Sequence, residues 1–257
     1  MAYNGKSVVD RSDFTIPRRR LTAVIGPNGS GKSSLLNALT GLLKLAAGRI
    51  DVFGVAPAHG HDRVAYVLQA AIVNQVMPLT VRDVVAMGRY GSKPLFRRLG
   101  GEDRALCRQA MERLGIVNLQ SRLLLDLSGG QRQRVFVAQG LAQDADMLLL
   151  DEPLTGLDLA SRDRITRAIS DELERGRTVV LTTHDLAEAA AADHVILMTG
   201  RVVAEGPPEE VLKPDRLSAA YGIGLVHLED GTTVLDDATH DHRPRHIHFE
   251  RSESRRD

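Results

Sequence analysis

Hydrophobic positions along this chain alternate between two kinds of pattern. Short, unbroken runs rich in Leu, Ile and Val occupy residues 21–25, 64–68, 147–150, 179–182 and 194–198, and each predicts a strand buried on both faces. Longer stretches of helical period separate them, so the chain reads as βα units around a mostly parallel sheet. One interval departs from this rhythm. Residues 70–145 have little strand character and carry apolar positions at helical spacing over 81–87, 104–114 and 131–141, which predicts a helical insertion. Further on, Gly200-Arg201 predicts a turn into a short strand over 202–205. Pro207-Pro208-Glu209-Glu210 then predicts a helix with Pro in its first turn, which closes a core domain over residues 1–212. Residues 223–228 and 232–235 flank Asp230-Gly231, a dipeptide that predicts a two-residue hairpin and makes 213–235 a C-terminal extension. Residues 236–257 mix six acids, five Arg and four His with few apolar residues, the composition of a disordered tail.

The chemistry concentrates where strands give way to loops. Gly26-Pro27-Asn28-Gly29-Ser30-Gly31-Lys32-Ser33 follows the first strand and opens a helix whose apolar side is Leu35, Leu36, Leu39, Leu42 and Leu43. Glycines at this spacing let backbone N–H groups turn inward around phosphates, and the helix N-terminus adds the positive end of its dipole. Lys32 is then placed for the β- and γ-phosphates, and the Ser33 hydroxyl for Mg²⁺, a cation that prefers oxygen ligands. Met147-Leu148-Leu149-Leu150-Asp151-Glu152-Pro153 is an apolar strand ending in two carboxylates. Asp151 suits the magnesium shell and Glu152 the role of general base toward an attacking water.

Between these two elements stands Leu127-Ser128-Gly129-Gly130-Gln131-Arg132-Gln133-Arg134, and with it the chain resembles the ATP-binding cassette ATPases, the nucleotide-binding subunits of ABC transporters. The resemblance covers about residues 1–212 and six motifs in family order. It implies a P-loop NTPase fold of ABC type, an α/β core with a helical signature subdomain. It implies a head-to-tail homodimer with two ATP molecules sandwiched, in which Ser128, Gly129, Gly130 and Gln131 complete the ATP site of the other subunit. It further implies that Gln69 senses magnesium and water, that Asp158 in Thr155-Gly156-Leu157-Asp158 lies at the dimer contact, and that His184 in Thr183-His184-Asp185 contacts the γ-phosphate. Asn28, Gly29 and Ser34 fall within the phosphate-binding sequence. Tyr3 stands where the family places an aromatic that stacks on adenine, although only two residues precede it here, where the family has a short strand.

Composition narrows the partners. The 257 residues carry 33 Lys+Arg against 33 Asp+Glu, so the chain lacks the basic field with which proteins bind nucleic acid independently of sequence. Its apolar runs fall far short of the about 20 residues that span a bilayer, which implies that the membrane permease is a separate polypeptide. The N-terminal residues have no apolar h-region, and Cys107 stands alone, so a cytoplasmic location on the inner face of the membrane is expected. A soluble ATPase of this family acting in DNA repair or translation would show a coiled-coil insertion or a second cassette, and neither is present in the sequence. The family docks its permease near residues 69–89, where Val76, Met77, Leu79, Val81 and Met87 offer an apolar face. Residues 78–91 are similar to the corresponding segment in importers of zinc, manganese and iron chelates, which work with an extracytoplasmic solute-binding protein. His240, His242, His246 and His248, with Asp241, and the smaller pair His59 and His61, add imidazoles suited to a borderline-soft cation such as Zn²⁺. Sequence alone therefore points to a transition-metal importer, zinc before manganese, with an iron chelate or another solute as the alternative.

Overall fold

The computed structural model describes residues 2–3, 6–7, 9–68, 78–91, 98–222, 225–227 and 233–235. Strands β1 (Ala2–Tyr3) and β2 (Lys6–Ser7) form a two-stranded antiparallel ladder. The centre is a six-stranded sheet. Strands β3 (Leu21–Ile25), β4 (Val64–Val67), β5 (Met147–Leu150), β6 (Thr178–Thr182) and β7 (His194–Met198) run parallel, and β8 (Val202–Gly206) joins β7 antiparallel. Their order is β4-β5-β6-β3-β7-β8. The five apolar runs predicted as strands are therefore the five parallel strands, because both faces of each are covered.

Alternate residues of those strands feed two cores. Ile25, Leu150, Leu181 and Leu197 point to one side, and Val24, Leu149, Val180 and Ile196 to the other. Each such side chain contributes about 1.5–3 kcal/mol relative to exposure. The second side is covered by α1 (Lys32–Leu39) through Leu35, Leu36 and Leu39. The first is covered by α2 (Val81–Met87), α3 (Gly101–Arg113), α4 (Gly129–Ala142), α5 (Leu159–Glu174), α6 (Leu186–Ala190), α7 (Pro208–Val211) and α8 (Pro214–Tyr221). Within the insertion, the Arg89 guanidinium is buried where α2 ends. Its Nε donates to Asp103 Oδ1 at 3.1 Å, and its Nη1 donates to the carbonyls of Ala142 and Gln143, both at 2.9 Å. One side chain thus ties α2 to the start of α3 and the end of α4.

Three expectations are corrected. Helix α1 stops at Leu39, so Leu42 is 71% exposed and Leu43 half-buried rather than part of its apolar face. The cause is Gly41, whose φ of +79° turns the chain where a Cβ would crowd the backbone of Pro57 and Ala58 at 3.1–3.3 Å. The core also continues past Leu212: Leu217 of α8 is buried in the same cluster as Ile25 and Leu150. Finally, β9 (Leu225–His227) pairs antiparallel with β10 (Thr233–Leu235), but with Thr233 opposite His227, whereas a two-residue turn at Asp230-Gly231 would set it opposite Leu228. The histidine-rich stretch 236–257 lies outside the described residues.

Candidate functional site

Parallel strands bring their C-terminal ends to one edge of the sheet, where α/β proteins bind ligands. Here Ala23 of β3 lies level with Leu181 of β6, and Leu181 with Leu150 of β5. The loops that follow those three strands carry Gly26 to Ser33, Asp151 with Glu152, and His184.

The phosphate-binding sequence is a tight turn. A Cβ on Gly26 would meet the Met198 carbonyl oxygen at 2.1 Å, and Gly31, the residue before α1, has φ +97°, so only glycine fits both places. No side chain caps α1, and its first amides are left for a ligand. Lys32 is buried, and its Nζ donates to the carbonyls of Gly26 at 2.8 Å and Pro27 at 3.2 Å. Burial holds its pKa below the usual lysine range, against the opposing pull of the Glu152 and Asp151 carboxylates. That pull records the closeness of the three groups. Asn28, Gly29 and Ser33 are exposed on the rim and Ser34 is half-buried.

Asp151 is only 7% exposed, yet it is well supplied with donors. The Thr182 hydroxyl donates to its Oδ1 at 2.6 Å, and the Tyr66 hydroxyl to its Oδ2 at 3.4 Å. Burial, with the charge of Asp151 and the hydrogen bond to it, pushes the Tyr66 phenol far up, so it stays a donor. The Thr182 oxygen in turn accepts the Glu152 amide at 2.9 Å, which links the two carboxylates through one hydroxyl. Glu152 adopts φ +47°, a left-handed conformation that costs a non-glycine residue about 1–3 kcal/mol and is held only where the surroundings demand it. An acid-rich edge beside a buried lysine fits an Mg²⁺–triphosphate, with oxygen donors from Asp151 and Ser33 for the cation. Sequence reading missed Thr182 and Tyr66; the one signal was a hydroxyl at the end of an otherwise aliphatic strand.

His184 is exposed on the loop after β6, between buried Thr183 and half-buried Asp185. Gln69 lies outside the described residues, as do Val76 and Met77. Tyr3 is paired with Lys6 in β1, so it sits within a strand, and its side chain is outside the described set. Val81, expected on a docking face, is instead fully buried, because it fills the core between α2 and the rest of the insertion; Met87 is exposed. Among the described residues no group of three His, Cys, Asp or Glu side chains is placed to hold a metal ion, and the His61 side chain lies outside the described set.

The signature sequence is a helix start of a different kind. Ser128 caps α4: its Oγ accepts the Gln131 amide at 3.3 Å, and the Gln131 Oε1 accepts the Ser128 amide at 3.0 Å. Gln131 is thereby used within its own turn. Gly129 is exposed, while a Cβ on Gly130 would meet Asp158 Oδ2 at 2.6 Å and Ser161 Oγ at 2.7 Å. Asp158 is itself the cap of α5, accepting the Ser161 amide at 2.8 Å and the Ser161 hydroxyl at 2.9 Å, bonds that hold its carboxyl below the usual aspartate range. Tyr221, at the end of α8, reaches the Gly26 turn instead. Its hydroxyl is buried beside the Gly26 backbone without a well-formed hydrogen bond, and burial raises its pKa to about 12.

Known proteins resemble this chain in sequence and fold. The ABC transporter family matches residues 9–155. The chain is 42% identical over 223 residues to the zinc transport system ATP-binding protein TroB of Treponema pallidum, covering 86% of this chain and 84% of the relative. It is 35% identical over 232 residues to the manganese transport system ATP-binding protein MntB of Listeria monocytogenes, covering 90% and 97%. Among solved structures, the ADP conformation of MJ1267, an ATP-binding cassette of an ABC transporter, superposes with a TM-score of 0.71 at 26% identity, covering 83% of this chain and 92% of that one. No described helix is long and apolar enough to cross a membrane. With a phosphate loop, a paired carboxylate edge and a capped Ser-Gly-Gly helix start on one sheet, this chain belongs to the ABC transporter family as an ATP-hydrolysing cassette.

Proposed function

We propose that two copies of this chain sandwich two ATP molecules and drive a metal-ion importer. In this reading Gly31, Lys32 and Ser33 hold the γ-phosphate from one side and Ser128, Gly129 and Gly130 of the other copy hold it from the opposite side. Asp151, Ser33 and Gln69 keep Mg²⁺ in place; when bound, the cation neutralises charge that develops on the phosphates. Glu152 polarises the attacking water as general base, and His184 touches the γ-phosphate. Tyr3 stacks on adenine. The single observation that carries the reading is the meeting of buried Lys32 with Asp151 and Glu152 at the C-terminal edge of the sheet.

The cargo reading rests on the relatives, which are named for zinc and manganese transport. We take zinc first and manganese second, with a separate permease docked near residues 69–89 on the cytoplasmic face of the membrane and a binding protein on the other side. Uptake of zinc, manganese and chelated iron into vesicles carrying the permease with this chain distinguishes the cargoes. ATP-dependent uptake of zinc over the others is the expected result, and uptake of none of the metals would overturn the cargo reading while leaving the ATPase intact.

A further inference from the structure

The turn that carries His184 is closed on itself. The Thr183 hydroxyl donates to Glu188 Oε2 at 2.6 Å and accepts the Asp185 amide at 3.0 Å, and Asp185 Oδ1 accepts the amides of Ala187 at 2.8 Å and Glu188 at 3.4 Å. These bonds make residues 183–188 a compact unit. The Thr183 amide ties its start to the Val24 carbonyl of β3 at 3.1 Å, and Arg162 ties the rest of it to α5. The Arg162 Nη2 donates to Asp185 Oδ2 at 3.1 Å and to Glu188 Oε1 at 2.6 Å, so one guanidinium spans both carboxylates of the turn. Glu188 uses its two oxygens for Thr183 and Arg162 respectively, which makes it the joint between the turn and the helix.

Arg162 lies on α5 in the first turn after the Asp158 cap, and its own amide bonds to the Asp158 carbonyl at 3.0 Å. The same cap meets the signature helix, because Asp158 and Ser161 are the groups against which Gly130 packs. The start of α5 therefore touches the signature sequence at Asp158 and Ser161 and the His184 turn at Arg162. We infer that Arg162 is a positioning residue that locks the His184 turn to α5, so that the placement of His184 follows the placement of the signature helix of the same chain. This rests on the proposed function in one respect: in the dimer, the signature helix serves one ATP and His184 the other, so α5 with Arg162 becomes the rigid link between two sites. One guanidinium nitrogen shared by two carboxylates suits this, since two partners are held at the entropic cost of ordering one side chain.

Two measurements on the purified full-length chain test it. Hydrogen exchange of the Ala187 and Ala189 amides in Arg162→Ala is expected to speed up about tenfold, because the turn loses its anchor and opens locally. ATP turnover in Arg162→Ala is expected to fall about tenfold with KM for ATP within about twofold, since the phosphate loop is untouched, and Arg162→Lys should recover most of it. The Hill coefficient for ATP should fall toward one in Arg162→Ala and recover with Arg162→Lys, a change that loss of stability alone would not produce. Unchanged exchange, or faster exchange with unchanged turnover and cooperativity, overturns the assignment. An unsubstituted chain without ATPase activity would sink the proposed function, and the exchange comparison would still decide whether Arg162 anchors the turn.

Discussion

The phosphate loop and the signature sequence are both helix starts with glycines and a serine, yet the protein treats them in opposite ways. At the phosphate loop the helix has no side-chain cap, and Lys32 is buried within the electrostatic reach of Asp151 and Glu152, so the chain gathers a buried cation and two carboxylates. At the signature the cap is complete, with Ser128 and Gln131 satisfying each other, and Gly130 is packed against the cap of α5. The first is a site that one chain builds. The second is a finished surface with exposed Ser128 and Gly129, which in the proposed dimer faces the ATP of a second copy. In the proposed dimer the contrast has a purpose: an uncapped helix start and a capped one, from different subunits, serve the same ligand.

Substitutions can break either half. Glu152→Gln is expected to lower ATP turnover by about 10²-fold or more while ATP still binds, because the proposed general base is lost and Lys32 is not; single-turnover hydrolysis alongside nucleotide binding checks both parts. Gly130→Ala breaks the other half. Its Cβ would displace Asp158 and Ser161, so turnover should drop about tenfold with ATP affinity for the phosphate loop retained. Thr182→Val removes the hydroxyl that joins Asp151 to the Glu152 amide at nearly constant volume, and should cost a smaller factor, about threefold to tenfold in turnover, with a higher Mg²⁺ concentration needed for half-maximal rate. The smallest effect is in acid. Although burial alone would raise it, the Asp185 pKa lies below its ordinary 3.8 because Arg162 and the amides of Ala187 and Glu188 favour the carboxylate. A depressed pKa means that its contribution is complete above 3.8 and disappears as pH falls through the lower folded value. Melting curves between neutral and acid pH should therefore show Asp185→Asn losing part of the acid sensitivity of the unsubstituted chain.

Much of this was legible in the sequence because central parallel strands bury both faces and so write themselves as continuous apolar runs, as residues 147–150 and 194–198 do. The phosphate loop was legible because its glycines are demanded locally, by a positive φ at Gly31 and a carbonyl against Gly26. Thr182, Tyr66 and Arg162 were not, since each acts on a residue far along the chain: Tyr66 reaches Asp151 across 85 positions and Arg162 reaches Glu188 across 26. Buried Val81 was misplaced for a related reason. An apolar residue in a helical period is the same in sequence whether it faces a partner or the core, and only packing tells which. The end of α1 depended on the approach of residues 57–58, which no local signal around Leu42 contains.

The claim that the capped signature completes the ATP site of a second copy is tested most directly by mass. Light scattering of the Glu152→Gln chain should report a monomer without nucleotide and a doubled mass with Mg²⁺-ATP, and adding Ser128→Arg should leave ATP binding intact while abolishing the doubling. A Glu152→Gln chain that binds ATP and stays monomeric, or a doubled mass that survives Ser128→Arg, would contradict it.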